Sequence, residues 1–293
     1  MSKSSISFNS LGSSGQVGNQ LFQFAALINL ANINNLKVLI PDPNTVEGEY
    51  FYDYFTIDKI HQKVEFGISK YRELIDSNFE FIKFDKRLLN IEGDANLNGY
   101  FQSLKYINLD EKKIKELYKF KNDYIEASRK IINDLGFDEF FFLHVRRGDY
   151  IEKKEYHYPL SKQYYKKAFK KFKDNSKFII FSDDLKWCKK QKIFRKDNIT
   201  YIDKEVDIFS KSLNPDIIEL CIMSMCNGGI IANSSFSWWG AWLQDKSSLV
   251  VMPHENIWFG RKYKFNAHEL IKDNWITIGD SKFYNFKYKI FGI

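Results

Sequence analysis

The stretch FFLHVRRGDYIE, from Phe141 to Glu152, decides the fold of this chain. Together with the preceding Glu139 and Phe140 it gives a continuous apolar run, EFFFLHV, that ends abruptly in charge. Such a run is typical of a central strand in a parallel sheet, because that strand is buried on both faces. Two adjacent arginines at its end predict a ligand site, since ligands of open parallel sheets bind at the carboxyl ends of the strands.

Four further strand candidates follow this stretch and alternate with helical segments up to residue 252. They are KFIIFSDD, ITYID, GGII and SLVVMP, the last obvious strand of the chain. This alternation predicts a Rossmann-like α/β domain with a parallel sheet.

The first forty residues predict a second unit of the same kind. A strand, SISF, leads into a glycine-containing loop, then into the helical segment QLFQFAALINLANINN and the strand KVLI, which stops at Pro41. Residues 45–110 contain weaker signals, with short strands possible at GEYFYDYF and FEFIKF and a strand running into an aromatic loop at LNGYFQSLKYI. Residues 110–136 read as one helix that ends at Gly136. We therefore expect domains at 1–125 and 126–275, with a tail, 276–293, that packs back on the first domain.

Composition limits the class of protein. The 293 residues are 44% hydrophobic and carry a net charge of +7, which suits a globular protein with an anionic partner. Both charge signs are mixed along the chain, so a nucleic-acid partner is not expected. Three cysteines fit neither a disulfide framework nor a zinc site, and we expect them to be reduced and buried. The sequence shows neither a signal peptide nor a membrane span, which predicts a cytoplasmic protein and leaves peripheral association with the inner face of the membrane open.

Polar residues follow three of the predicted strands. They lie in HVRRGD (144–149), FSDD (181–184) and ANSSFSWWG (232–240), which should meet at one edge of the sheet. Arginines bind phosphate oxygens, either Asp183 or Asp184 could accept hydrogen bonds from a base or ribose, and NSSF at a helix start offers an anion cradle. Each pattern alone is also ordinary: an arginine pair in surface salt bridges, two helix caps and, at WWGAW, core packing.

The loop GQVGNQ, residues 15–20, lies between a strand and a helix but matches neither G-x-G-x-x-G nor a P-loop. Asn19 and Gln20 could donate hydrogen bonds to a ligand between two domains. A simple glycine turn capped by Asn19 is the alternative.

GNQLFQFA, HVRRGDY, FSDD and NSSFSWWGAWL occur in this order across residues 15–255. Together they resemble the bacterial α-1,2-fucosyltransferases of glycosyltransferase family 11. The chain departs from the family's Gly-Gly-x-Gly-Asn-Gln loop at Ser14, which replaces the first glycine.

The resemblance implies a GT-B fold, an α/β architecture of two Rossmann-like domains facing each other across a cleft. It implies an inverting, metal-independent enzyme without a cofactor that transfers L-fucose from GDP-β-L-fucose to the 2-hydroxyl of a galactose-containing glycan. The first domain would bind the acceptor and the second GDP-fucose. By the same resemblance, the donor-binding residues would be His144, Arg146, Arg147, Asp183, Ser234, Ser235, Phe236, Asn19 and Gln20. Arg146 would also be catalytic, offsetting charge on the departing GDP.

An inverting transfer benefits from a base that takes the proton of the acceptor hydroxyl. Asp149 is the first candidate, with Glu152 and Glu155 in the same loop as alternatives. Asp149 could instead only hold the arginines in place. His157 could face the acceptor or lie at the surface.

Other functions remain compatible with the sequence. A transferase with another acceptor or linkage is one, and a non-catalytic protein that binds a nucleotide or an anion is another. The acceptor itself is not identified, although the aromatic segments EYFYDYF and NGYFQS suit sugar surfaces. A role in lipopolysaccharide synthesis follows only by analogy with the family. Nothing in the sequence predicts the oligomeric state.

Overall fold

The computed structural model describes residues 3–41, 50–57, 83–202, 212–244, 248–263 and 267–291. The chain forms two compact units, Met1–Lys121 and Asn122–Ile293. The border lies a few residues before the expected one at 125, and residues 276–293 belong to the second unit.

The first unit contains a parallel three-stranded sheet in the order β2-β1-β3. Its strands are β1 (Ser5–Ser7), β2 (Lys37–Leu39) and β3 (Ala95–Asn96), and helix α1 (Val17–Ile33) connects the first two. The predicted β-α-β start is therefore confirmed. Fourteen residues of α1 are buried, because the helix is apolar on nearly every side.

The aromatic segments of the first unit form turns rather than the predicted strands. Phe51–Asp53 is a single 3₁₀ turn, and its neighbour Tyr50 packs against it in the core. The segment LNGYFQSLKYI, residues 97–107, begins just after β3 and is a loop followed by the short helix α2 (Leu104–Ile107) rather than a strand. Most of FEFIKF lies outside the described residues.

The single helix predicted over 110–136 is wrong. The structure has α3 (Glu111–Leu117) and α4 (Asn122–Leu135) instead. Between them the Tyr118 hydroxyl donates to the Leu21 carbonyl at 2.6 Å, and Phe120 forms an antiparallel bridge with Phe55. The bridge at Phe120 requires non-helical backbone, so α3 ends at Leu117, shortly before the first unit ends at Lys121. Gly136 ends α4 with φ +64°, as expected of a helix-terminating glycine.

The second unit is built on six parallel strands in the order β6-β5-β4-β7-β8-β9. They are β4 (Phe140–Val145), β5 (Lys177–Ser182), β6 (Ile199–Tyr201), β7 (Gly228–Ile230), β8 (Leu249–Pro253) and β9 (Ile276–Ile278). Counted along the chain this is the order 3-2-1-4-5-6 of a Rossmann fold. The first five strands confirm the prediction, and β9 is additional.

Seven helices of the second unit are described, of which α4 is the first. The other six are α5 (Gly148–Glu152), α6 (Lys162–Phe169), α7 (Leu185–Lys190), α8 (Pro215–Met225), α9 (Ser235–Trp242) and α10 (Lys282–Phe291). WWGAW is core, since Trp238, Trp239 and Trp242 are all buried. Gly240 lets α9 approach α8, because a Cβ there would lie 2.8 Å from the Met223 Cβ.

The C-terminal helix α10 packs within the second unit. The Tyr284 hydroxyl donates to the Pro159 carbonyl at 2.8 Å, and the ring of Tyr288 packs edge-on against Tyr158. Asp280, which precedes the helix, accepts a hydrogen bond from the Ser161 backbone at 2.8 Å. These contacts explain why residues 276–293 are part of this unit rather than a separate tail.

Candidate functional site

Strands β4 and β7 are neighbours in the sheet of the second unit, and the chain leaves them in opposite directions. The connection after β4 leads toward β5 and β6, whereas the connection after β7 leads toward β8 and β9. Ligands of Rossmann folds bind in the crevice that such a switch point creates. The residues that follow β4 and β7 are RRGD and ANSS, two of the three segments singled out in the sequence.

Arg146 is the first residue after β4 and is held by two carboxylates. Its Nη2 lies 2.7 Å from Asp149 Oδ1, and its Nη1 lies 2.9 Å from Asp183 Oδ2. The guanidinium carbon also sits 5.3 Å from the centre of the Tyr150 ring. An arginine fixed in this way presents a preorganised positive charge at the end of the strand.

Asp183 connects the ends of β4 and β5. Besides the contact with Arg146, its Oδ1 accepts a hydrogen bond from the Arg147 backbone N–H at 2.8 Å. Gly148 makes this approach possible, because a Cβ at that position would lie 2.6 Å from Asp183 Oδ2. Both carboxylate oxygens are thus engaged by the arginine loop, an arrangement that favours bracing over recognition of a base.

Arg147 turns toward α7 instead of toward Arg146. Its guanidinium carbon lies 3.8 Å from the centre of the Trp187 ring, and its Nε is 3.4 Å from Asp184 Oδ2. Asp184 at the same time caps α7 by accepting from the Trp187 backbone N–H at 2.9 Å. These contacts give Arg147 and Asp184 a bracing position beside the site.

The three candidate bases differ in their surroundings. Asp149 contacts Arg146, while Glu155 pairs with Arg261 at 3.0 Å, and Glu152 is exposed at the end of α5. Of the three, Asp149 is the carboxylate in direct contact with the arginine at the switch point.

Two residues that sequence reasoning did not assign join the ends of β4 and β7. The Tyr150 hydroxyl donates to the Asn233 carbonyl at 3.0 Å. The buried Asn233 amide donates to the Tyr158 and Trp258 carbonyls, each at 2.8 Å. Tyr150 lies inside the motif HVRRGDY and Asn233 inside ANSSF. Membership of these motifs was the sequence feature that could have identified them as site residues.

His157 stacks on Tyr150, with ring centres 4.1 Å apart and planes 10° from parallel. Burial lowers the pKa of His157, which Asp149 opposes and Arg146 and Lys153 reinforce. Burial raises the pKa of Tyr150, so its hydroxyl keeps its proton at neutral pH and acts as a hydrogen-bond donor. His157 is therefore not a surface histidine. It is half-buried and stacks on Tyr150, in the loop that carries Arg146.

The start of α9 faces the same crevice. Ser234 is the N-cap residue, and its side chain makes no capping hydrogen bond. The Ser237 hydroxyl instead accepts from the Ala232 backbone N–H at 3.2 Å. The first N–H groups of α9 are not used by its own helical bonds and suit an anion. Phe236 packs 5.9 Å from the ring of His144, which is 6% exposed.

The structure therefore brings most of the predicted donor residues together at the ends of β4, β5 and β7. Those residues are His144, Arg146, Arg147, Asp183, Ser234, Ser235 and Phe236.

Asn19 and Gln20 belong to the first unit, where they connect loops. Asn19 Oδ1 accepts from Gln102 Nε2 at 2.8 Å. Gln20 is buried, donates to the Gly15 carbonyl at 3.1 Å and accepts from the Phe51 backbone N–H at 3.0 Å. Gly15, at φ +86°, carries the left-handed turn of this loop, while Ser14 does not adopt a positive φ, so serine is tolerated there.

A model of "Glycosyl transferase family 11" matches residues 2–279. The chain belongs to this family. The α-1,2-colitosyltransferase of Escherichia coli is 28% identical to it, over 90% of this chain and 96% of that protein. The O-antigen biosynthesis glycosyltransferase WbnK of Escherichia coli is also 28% identical, over 90% of this chain and 98% of its own length.

A solved structure shows the fold of this family 11 glycosyltransferase. NodZ is a fucosyltransferase from Bradyrhizobium. The structure of NodZ α-1,6-fucosyltransferase co-crystallised with GDP gives a TM-score of 0.54 at 11% identity, covering 83% of this chain and 93% of that chain. The expected GT-B-type α/β fold with Rossmann-like units is confirmed.

The described residues were also compared with what a metal site, a membrane span or a disulfide would require. Within the described ranges, no group of three or more His, Cys, Asp and Glu side chains is placed to hold a metal ion. No described helix is long and apolar enough to cross a membrane. All three cysteines are free and buried, as predicted, and burial raises the pKa of Cys188 and of Cys221 to about 11.

Proposed function

We propose that this glycosyltransferase transfers L-fucose from GDP-β-L-fucose to the 2-hydroxyl of a galactose-containing glycan, with inversion at the anomeric carbon and without a metal ion. The observation that carries the proposal is the placement of Arg146, held by Asp149 and Asp183 at the switch point of the sheet. Breaking the bond between fucose and GDP develops negative charge on the diphosphate. A fixed guanidinium at that position supplies the compensating charge in place of a metal.

The helix start that follows β7 supports the same placement of the donor. The N–H groups at the start of α9 and the hydroxyls of Ser234 and Ser235 suit the oxygens of a diphosphate. His144 and Phe236 would then lie beside the nucleotide. Arg147 and Asp183 hold the loop, so we assign them to positioning rather than to base recognition.

The acceptor hydroxyl must lose a proton as it attacks. Of the two carboxylates that contact Arg146, we propose Asp149 as the base, because its side chain is 40% exposed whereas that of Asp183 is 22% exposed. Its ion pair with Arg146 gives it a second role as a brace.

The relatives support the linkage and suggest the biological role. One is named for α-1,2 transfer and another for O-antigen biosynthesis. NodZ, the structural neighbour, has been co-crystallised with GDP and soaked with GDP-fucose. We therefore propose a GDP-sugar donor and a role in assembling a surface glycan. Nucleotide-activated colitose is the second candidate donor, because one of the two curated relatives is a colitosyltransferase.

A direct assay tests the proposal. The protein is incubated with GDP-fucose and a panel of galactosides that includes lactose, in EDTA, and GDP release is measured with the product linkage determined by NMR. Release of GDP together with an α-1,2-linked fucoside is the expected result. Binding of GDP-fucose without transfer to any galactoside would favour a non-catalytic nucleotide-binding protein. A parallel reaction supplies nucleotide-activated colitose, and transfer from that donor alone would identify it as the donor.

A further inference from the structure

The positive charge of the protein is concentrated in one part of the second unit. Residues 162–197 contain thirteen lysines and arginines and four acidic residues, a net charge of +9. Since the whole chain carries +7, the other 257 residues sum to −2. If the positive charge came only from lysines on solvated helices throughout the chain, it would be spread more evenly than this.

The fold places this segment on one face of the six-stranded sheet. The segment comprises α6, β5, α7 and the approach to β6, and the two crossovers β4-α6-β5 and β5-α7-β6 advance in the same direction. Right-handed crossovers that advance in one direction put their helices on the same face. The contact between Phe169 of α6 and Phe194, which follows α7, is consistent with this, with ring centres 6.2 Å apart.

Four of the lysines surround a single groove of about 260 Å³. The lining lysines, all exposed, are Lys166, Lys170, Lys173 and Lys196. None of the four forms a salt bridge with any residue that the structure describes. Phe169, Phe178 and Ile193 line the groove between them, and Lys196 Nζ lies 5.2 Å from the centre of the Phe169 ring. One exposed carboxylate, that of Asp174, also lines the groove, so its charged lining sums to +3.

This basic face, defined as the four lysines and the groove between them, is remote from the candidate donor site. Phe178 is near the start of β5, and Asn198, another lining residue, immediately precedes β6. The groove therefore lies at the amino ends of the strands, whereas Arg146 and Ser234 follow the carboxyl ends. A strand of six residues separates the two edges by roughly 17 Å.

We propose that the basic face docks the protein on the surface of an anionic lipid bilayer. Twelve of the thirteen cations are lysines, and lysine is a compact point charge that suits diffuse attraction to many headgroups, whereas directed phosphate recognition favours arginine. Of the two phenylalanines that line the groove, Phe178 is buried, and the half-buried Phe169 packs against Phe178 and lies beneath the Lys196 ammonium, which leaves little ring surface on which nucleic-acid bases could stack. The proposal does not depend on the identity of the donor or acceptor.

Vesicle flotation tests this docking. The full chain is mixed with vesicles of phosphatidylcholine alone, or of equal parts phosphatidylcholine and phosphatidylglycerol, at low and high salt. The face variant carries Lys166→Gln, Lys170→Gln, Lys173→Gln and Lys196→Gln. The control variant has the same charge change at exposed lysines elsewhere: Lys112→Gln, Lys119→Gln, Lys121→Gln and Lys130→Gln.

The wild-type protein should bind anionic vesicles, and not neutral ones, with an affinity that falls as salt rises. The face variant should bind between about tenfold and several hundredfold more weakly, since each of the four lysines contributes up to roughly fivefold near an anionic surface. The control variant should bind much more like the wild type, and the double variant Lys170→Gln, Lys173→Gln should be intermediate. Unchanged unfolding temperatures would show that all variants are folded.

Three results would overturn the proposal. Wild-type binding that ignores lipid charge is the first. Equal loss in the face and control variants is the second, because net charge and not this face would then be responsible. The third is a face variant that loses binding to a single-stranded oligonucleotide but still binds anionic vesicles, which would make the face a nucleic-acid surface.

Discussion

Arg146 is the residue on which the proposed chemistry depends most directly. Replacing it with alanine should lower kcat/KM by about ten- to thousandfold, because one preorganised donor to developing charge is lost. Arg146→Lys should recover only part of the activity, since lysine cannot pair with two carboxylates and the ligand through one planar fork. GDP release from GDP-fucose measures both. Arg129→Ala, an exposed arginine on α4, is the matched control and should behave as the wild type.

Asp149 and Asp183 both hold Arg146, so their asparagine variants can separate bracing from proton transfer. Both variants should bind GDP more weakly than the wild type. Asp149→Asn should in addition lose about a hundredfold or more in kcat, because it removes the proposed base. Equal effects of the two changes on kcat would leave Asp149 as a brace only.

At the scale of elements, α8 and α9 meet through Gly240. Gly240→Ala should destabilise the protein by about 1–3 kcal/mol, because the added methyl group would lie 2.8 Å from the Met223 Cβ. Gly279→Ala is the matched control, since no atom lies within 4 Å of a Cβ built there. Thermal unfolding of the two variants gives the comparison. Similar unfolding temperatures would mean that the two helices can move apart at little cost.

The loop from α5 to His157 should respond to acid. Because burial lowers the pKa of His157, the folded protein binds a proton there less readily than the unfolded chain. Stability should therefore fall as the pH drops below the unfolded value of about 6.5. His157→Phe keeps a ring against Tyr150 and should flatten the dependence of the unfolding temperature on pH between about 7 and 5. An unchanged pH dependence would show that other groups govern it.

At the scale of the whole molecule, GDP should stabilise the fold if it binds as proposed. Linkage predicts about 2.7 kcal/mol at a GDP concentration of 100 times Kd, which corresponds to an upward shift of several degrees in the unfolding temperature. The shift should persist in EDTA and disappear in Arg146→Ala. Loss of the shift on adding EDTA to the wild type would point to a metal in donor binding.

Much of this architecture could be predicted from the sequence, because buried parallel strands are continuous apolar runs. EFFFLHV and KFIIFS give such runs, whereas Ile276–Ile278 is too short to be distinguished from a loop. The break between α3 and α4 was missed, since Tyr118 and Phe120 fit a helical pattern until their long-range partners Leu21 and Phe55 are known.

The same limit applied at the site. Sequence patterns located Arg146 and Asp183 but not the contact between them, which depends on β4 and β5 pairing in register from Phe140↔Lys177 to Val145↔Ser182. Asn233 and Tyr150 were missed as positioning residues because their partners are backbone carbonyls, which leave no trace in the types of residue at the other end.

The buried thiols have a practical consequence. Cys188, Cys221 and Cys226 are buried, and burial raises the pKa of each, so thiol-reactive dyes should leave the native chain unlabelled. A cysteine introduced at exposed Lys112 in the first unit and another at exposed Lys189 in the second would then be the reactive positions. Fluorescence energy transfer between two dyes there would follow the separation of the units as donor and acceptor sugars are added, in a protein that needs no cysteine removed first.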